Sequence, residues 1–412
     1  MSDKGPHKSG KGPSNTGKGP SNTGKGPSNT GEGPLAGVRV LDLTRVLSGP
    51  YCTAMLADLG AEVVKIEAPQ GDEYRHVGPF RAGESALFQL VNRNKMGMVF
   101  DLKEAADRAT VRRLAAVADV VVENFRPGVA ARLGIGGAYL CAAHPRLIYA
   151  SISGFGQTST QRDLPAFDLV AQALSGFMAM TGEPDGAPTK VGESIGDLAA
   201  GVFCSWAILA ALYERERTGV GRRIDVGMVD SLVALMPTAI SQWMFGTTPP
   251  RRSGNRHPLS TPFGAFRAKD GHVVICVLTG AQFLRLAQCM GQPQLAEHPA
   301  YASDALRTAN EAPLRALIEA WLAPLTVVEA VQILMQAGVP ASQIEEPAAV
   351  FAGPQVAERA ILSQIQHPKL GAIVAMEQPV HFGGLHRGGQ HAAPGLGEHQ
   401  RIVMQRWLGE SQ

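Results

Sequence analysis

Asp197 stands apart from the other carboxylates of the sequence. It opens a run, Leu198 to Tyr213, without a charged residue, and follows a small-residue approach, Gly192-Glu-Ser-Ile-Gly196. Two chemistries suit a carboxylate at the threshold of an apolar helix. Its oxygens can accept from the unpaired N–H groups of the first turn, which is capping and the commoner role of such an aspartate. The same place keeps the carboxylate ionised and partly desolvated, which makes it a usable nucleophile. The two roles are compatible, and the residues alone leave both open. Glu193, among Gly and Ser, reads as a solvated loop residue. A second set of candidates is basic. Arg75, Arg93, Lys95, Lys103, Arg126 and Arg132 fall in loops near strand-like segments, with no acidic run to match them. Singly such residues are most often only solvated. Together they point to an anionic, phosphate-bearing ligand.

The elements that must position these groups follow from periodicity. Val38–Leu43 reads as a strand, Tyr51–Leu59 as a helix opened by Gly49-Pro50 and closed at Gly60, and Ala61–Glu67 as the next strand. Proline costs nothing in a first helical turn, and glycine suits the end. Strand, helix, strand with short joints is a βαβ unit and implies a parallel sheet. Strands are expected again at Met98–Leu102, Asp119–Glu123, Leu147–Ile152 and Arg223–Val226, with a helix at Ala105–Val117. Ligands of open α/β sheets bind beyond the carboxyl ends of the strands. A dinucleotide reading, with Glu67 on a ribose, fails because Thr44–Pro50 holds no G-x-G-x-x-G. Past the polar loop Pro249–Pro258, a hairpin over Lys269-Asp270-Gly271 and helices at Phe283–Met290, Leu314–Leu322 and Val327–Gln336 give an α+β character. The apolar run after Asp197 is too short, and too broken by Gly201 and Ser205, to span a membrane. It reads as a core helix.

Composition bounds the rest. At 412 residues the chain exceeds one core, so two domains are expected. With 45% hydrophobic and 18% charged residues it is a globular enzyme by composition, and a net charge of +2 argues against nucleic acid as a partner. Cys52, Cys141, Cys204, Cys276 and Cys289 show no C-x-x-C pair, so no metal site is expected and a reducing, cytoplasmic setting is. Lys11–Gly17 recurs as Lys18–Gly24 and Lys25–Gly31. This polar repeat cannot offset ordering entropy, and residues 1–34 are expected to be a disordered tail.

From Leu35 onward the chain resembles the family III CoA-transferases, which include formyl-CoA, carnitine and succinyl-CoA-type enzymes. The resemblance rests on Leu35–Leu43, Asp58–Glu67, Val122–Gly128, Ser153–Gln157, Pro165–Leu169, Gly221–Val226 and Gly254–Pro258, in that order across nearly the whole ordered chain. It implies an α/β fold with a Rossmann-like CoA-binding domain over 35–225, completed by about 370–412. Linkers and a smaller α+β domain would occupy 226–369. It implies an interlocked homodimer, acyl-CoA and carboxylic acid substrates, and no permanently bound cofactor. Asp197 falls at the catalytic aspartate, which forms an aspartyl-CoA thioester. Leu47, Ser48, Leu102, Lys103, Asn124, Phe125, Arg126 and Arg132 match CoA-lining positions, and Asp168 an acidic neighbour of the active site. Arg75 is a further phosphate candidate by position. Formyl-CoA transferases have Gln where Leu47 stands and Arg where Ala68 stands, which points away from formyl-CoA and oxalate. Gly254–Pro258 follows the succinyl-CoA-type pattern. A racemase would need a His where Phe167 stands. Intramolecular transfer uses the same aspartate and stays open, as does a non-catalytic acyl-CoA-binding protein.

Overall fold

A computed structural model describes residues 33–383 and 390–410. The repeats at 11–31 lie outside the described residues. The first half of the chain lays down β1 (Arg39–Asp42), α1 (Ser48–Asp58), β2 (Glu62–Glu67), β3 (Lys95–Val99), α2 (Ala105–Ala116), β4 (Val120–Glu123) and β5 (Ile148–Ser153). It continues with α3 (Asp168–Leu174), α4 (Ile195–Thr218) and β6 (Arg223–Gly227). The strands form one parallel sheet in the order β3-β2-β1-β4-β5-β6. The direction of winding reverses between β1 and β4, the switch point beyond which open sheets of this kind bind ligands.

Both faces of the sheet are covered, which is why its strands read as near-continuous apolar runs. Val40, Val63, Val122 and Ile148 pack with Cys52, Leu56, Cys204 and Ile208 of α1 and α4. Their neighbours Leu41, Val64, Val121 and Tyr149 point the other way and pack with Val111, Leu114, Val403 and Trp407. The last two lie on a helix near the end of the described chain, Gln400–Leu408.

Later residues build a separate core. β7 (Phe263–Arg267) and β8 (His272–Cys276) form the expected hairpin, and β9 (Ala341–Gln343) pairs with β8. Phe266, Val273 and Ile275 pack on Phe283, Leu314, Ile318 and Leu334, from α5 (Gly280–Cys289), α6 (Glu311–Leu322) and α7 (Val327–Gln336). Residues 391–400 return to the first sheet and line its edge. Gly97 and His399 exchange two hydrogen bonds, Val99 N–H donates to Gln400, and Asn94 N–H to the His391 carbonyl. Gly97 is required there, because a Cβ would stand 3.0 Å from Pro394.

Two expectations need correction. The strand expected at Met98–Leu102 is Lys95–Val99: a lysine and an inward glycine begin it, and Phe100 already leaves the sheet. Charge hid the start, since Lys95 is buried and its ammonium is paired beneath the strand. The apolar helix begins at Ile195, so Asp197 is a first-turn residue and not the cap.

Candidate active site

The first turn of α4 finds its cap in another element. Ser194, at the N-cap position, makes no side-chain capping bond. Instead Asp168 Oδ1, from the start of α3, accepts the Gly196 N–H at 2.7 Å. Asp168 Oδ2 accepts from Gln172 Nε2 at 2.7 Å, and Gln172 Oε1 accepts the Val191 N–H at 3.0 Å. Gln172 is fully buried, so this latch fixes the approach to Asp197 from below. The Asp197 carboxylate is thereby released from capping.

Its neighbour is Ser48, the first residue of α1, whose hydroxyl and backbone N–H favour the ionised carboxylate. Asp197 thus lies where two helices begin, with the positive ends of α1 and α4 both near. Gly201 makes the close approach possible: a Cβ there would meet the Ser48 carbonyl oxygen at 2.7 Å. Burial, then the negative charge of Asp168, raises the Asp197 carboxyl to about 6, and the two Ser48 donors work against that rise. Asn124, after β4, clamps the same loop. It accepts the Arg45 N–H at 2.9 Å, donates to the Arg45 carbonyl at 2.7 Å, and reaches Ser48 Oγ at 3.4 Å.

The loop that carries Ser48 also walls a groove of about 340 Å³ at the crevice between β1 and β4. Thr44, Arg45, Ala68, Asp72, Leu102, Lys103 and Phe125 line it. The structure therefore brings Leu102, Lys103 and Phe125 together in one groove, and Ser48, Asn124, Asp168 and Asp197 together around the starts of α1 and α4, with Asn124 bonded to Ser48 and Asp168 to the Gly196 N–H. Leu47 is buried at the start of α1, between the two.

Other candidates lie elsewhere. Arg75 is already engaged: Nε and Nη2 grip Glu67 at 2.7 Å each, Nη2 also donates to the Pro394 carbonyl, and the guanidinium lies 3.7 Å from the Phe88 ring centre. That commitment removes the reason to assign it to phosphate. Arg93 and Lys95 are buried in ion pairs with Asp58 and Asp42, so neither is a surface cation. Arg126 is exposed and borders a different cavity, of about 480 Å³, floored by Glu123, Ser151 and Asp225. There burial raises the Glu123 carboxyl to about 7. Arg132 is exposed beside Gly128. Glu193 is exposed in the loop before α4, as its neighbours suggested.

Three participants escaped the sequence. Tyr74 is half-buried, and burial and then the field of Asp197, ahead of Asp72, Asp168 and Glu193, push its phenol to about 12. Nothing in its neighbourhood announces that role. Gln172 sits in a helix whose spacing to Val191 only the fold reveals. Arg45 follows a strand, and the strand-end rule that selected the other cations would have included it. Among the described residues no cluster of His, Cys, Asp and Glu suits a metal ion.

A buried carboxylate at the junction of two helix starts, on a parallel α/β sheet with a groove beyond its strand ends, makes this a candidate site. The chain belongs to CoA-transferase family III, whose family model matches residues 35–400, and it is an enzyme of the CoA-transferase class. It is 42% identical to the acetyl-CoA:oxalate CoA-transferase of Acetobacter aceti, over 84% of this chain and 89% of that one. It is 41% identical to the succinyl-CoA:mesaconate CoA-transferase of Haloarcula hispanica, over 81% and 86%. The mouse succinyl-CoA:glutarate CoA-transferase is 36% identical, over 91% and 86%. Among solved structures, a CAIB/BAIF family protein from Brucella suis superposes with a TM-score of 0.80 at 34% identity, covering 91% of this chain and all of that one.

Proposed function

We propose that this enzyme moves CoA from a short-chain acyl-CoA, with succinyl-CoA as the first donor to try, to a free carboxylic acid, and that Asp197 carries the CoA between them. The observation that carries the reading is the Asp197 carboxylate, freed from capping by Asp168 and kept beside Ser48, the residue that follows the loop lining the groove. An Asp197 oxygen attacks the thioester carbonyl, the C–S bond breaks, and CoA leaves as thiolate from a mixed anhydride. The thiolate attacks the aspartyl carbonyl of that anhydride, expelling the donor acid as carboxylate and leaving aspartyl-CoA. The acceptor carboxylate attacks this thioester to form a second anhydride and free the thiolate. Thiolate attack on the acceptor acyl carbonyl then restores Asp197 and yields the new thioester. Each step exchanges one acyl bond for another, so the thioester's energy is conserved. The N–H groups at the two helix starts are suited to hold the oxyanions.

The groove suits the nucleotide end of CoA, with Phe125 offering an apolar wall and Lys103 a cation. Leu47, Ser48 and Asn124 would then border the path toward Asp197. Arg126 and Arg132, exposed after β4, stay within the proposed CoA contacts. The relatives' acceptors, oxalate, mesaconate and glutarate by name, favour a small dicarboxylate here, and oxalate belongs in the panel despite Leu47 and Ala68. Phe167, 70% exposed and next to Asp168, cannot shuttle a proton, which disfavours racemase chemistry. A homodimer in the cytoplasm is part of the same proposal.

Intact-protein mass spectrometry after incubation with succinyl-CoA or acetyl-CoA, quenched with hydroxylamine or borohydride, tests the route. The expected result is a trapped derivative at Asp197, absent from Asp197→Ala that still binds CoA. Exchange of an α-proton with deuterated water and no adduct from any donor would overturn it.

A further inference from the structure

Four charged side chains lie under the loop between β1 and α1, and no step of CoA transfer uses them. Asp42, Lys65, Asp72 and Lys95 are each no more than 3% exposed. Lys65 pairs with Asp72 at 2.8 Å and donates to the Thr44 carbonyl at 2.8 Å. Lys95 pairs with Asp42 at 3.0 Å and donates to the Pro50 carbonyl at 2.9 Å. Asp42 also accepts from the Thr44 N–H and the Thr53 hydroxyl. Such a group adds little stability over an apolar core of the same shape. Its bonds converge on one target, the loop and first turn that deliver Ser48.

Asp72 is the closest to that delivery. Its Oδ1 accepts the Val46 N–H at 3.0 Å and the Tyr74 N–H at 2.9 Å. Val46 has a φ of +66°, left-handed backbone that a β-branched residue rarely takes. Strain of this kind persists where the surroundings over-determine it, and it gathers at functional sites. Two residues further on, Ser48 sits against α4, its carbonyl oxygen 2.7 Å from where a Cβ on Gly201 would stand, one turn after Asp197, whose ionised form it favours. We propose that Asp72 is a positioning residue for the nucleophile: one oxygen holds Val46 in its strained turn, and so sets Ser48 on Asp197, while also anchoring the short helix that bears Tyr74. The proposal rests on Asp197 being the nucleophile. The groups facing Asp197 are Ser48 from α1, Asp168 from α3 and Tyr74 from the helix Glu73–His76, and Tyr74 also feels Asp72, Asp168 and Glu193.

The test is Asp72→Ala with Lys65→Met, which removes the acceptor for the Val46 N–H and leaves no buried ammonium unpaired. Val46→Gly is the control: it keeps the N–H for Asp72, and glycine takes a positive φ freely, so kcat should stay parental with unchanged or higher thermal stability. Positioning predicts that the double variant has kcat lowered by about 10- to 100-fold with little change in KM for the acyl-CoA. The second readout needs no turnover. Infrared titration of carbon-13-labelled aspartate, assigned to Asp197 by difference from Asp197→Asn, should start near 6 in the parent. It should move upward in the double variant, because a displaced Ser48 no longer holds the carboxyl down, and stay in place in Val46→Gly. Asp72→Asn, a milder change that weakens the same acceptor, must shift the titration the same way by less. An unshifted titration and parental kcat in these Asp72 variants would overturn the proposal. A shifted titration in an enzyme that forms no aspartyl adduct would support the positioning and sink the transfer route.

Discussion

At Asp197 two demands on one carboxyl oppose each other. As the proposed nucleophile it must be ionised, yet burial and the negative Asp168 favour its protonated form and raise it from 3.8 to about 6. The linkage follows from the sign: the folded state holds this proton more tightly than the unfolded chain, so stability from this group is present at low pH and is lost as pH rises from about 4 to 6. Asp197→Asn should therefore melt higher than the parent near pH 8, by an amount on the order of 1–3 kcal/mol, and match it near pH 4. Thermal melts at the two pH values check this. For activity the direction reverses, and kcat/KM for the acyl-CoA should fall below about pH 6 as the nucleophile takes up its proton. The aspartate was conspicuous in the sequence as a lone charge before an apolar run, but its nucleophilic role was singled out only through the resemblance. Ser48 was legible only through resemblance, and Tyr74 not at all, since both meet Asp197 through tertiary contacts.

Among the elements, α1 and α4 set the geometry. They run together along one face of the sheet, with Ser48 against Asp197 at the top and Cys52 against Cys204 below. Gly201 lies between these two contacts. A methyl group there would press on a backbone oxygen, which cannot swing away as a side chain can. Gly201→Ala is expected to cost about 1–3 kcal/mol of stability and to lower kcat more than it raises KM. Denaturant melts with steady-state kinetics would check both, and a variant with parental kcat would show that the helix spacing is not critical. The βαβ alternation that carries these helices was readable from periodicity and turn residues. What periodicity missed were places where charge is buried: Lys95 inside a strand, and Arg75 and Arg93 spent on carboxylates. A sequence shows the charge but not the partner beneath it. The start of α4 was missed for a related reason, since its cap, Asp168, comes from another helix.

At the scale of the molecule, a single chain leaves much apolar surface in water. Trp243 and Phe245, on the helix Pro237–Phe245, are 77% and 86% exposed, and Trp206 and Tyr213 on the outer side of α4 are 67% and 69% exposed. Exposed aromatic surface of this extent marks an interaction site. Light scattering should give twice the chain mass for the parent, and Trp243→Glu with Phe245→Glu should shift it toward one; a parental mass of one chain would refute the dimer. The second core, around Phe266 and Leu314, was foreshadowed by the hairpin and helix periods, but where the later residues return could not be read locally. Residues 391–400 close the edge of β3 only after some three hundred residues of intervening chain. This has a bearing on synthesis. All six strands have been synthesised once residue 227 is added, yet the outer side of β3 must wait for His391 and His399. For the whole interval an unpaired strand edge is open to other nascent chains, and its protection falls to chaperones and not to the protein itself.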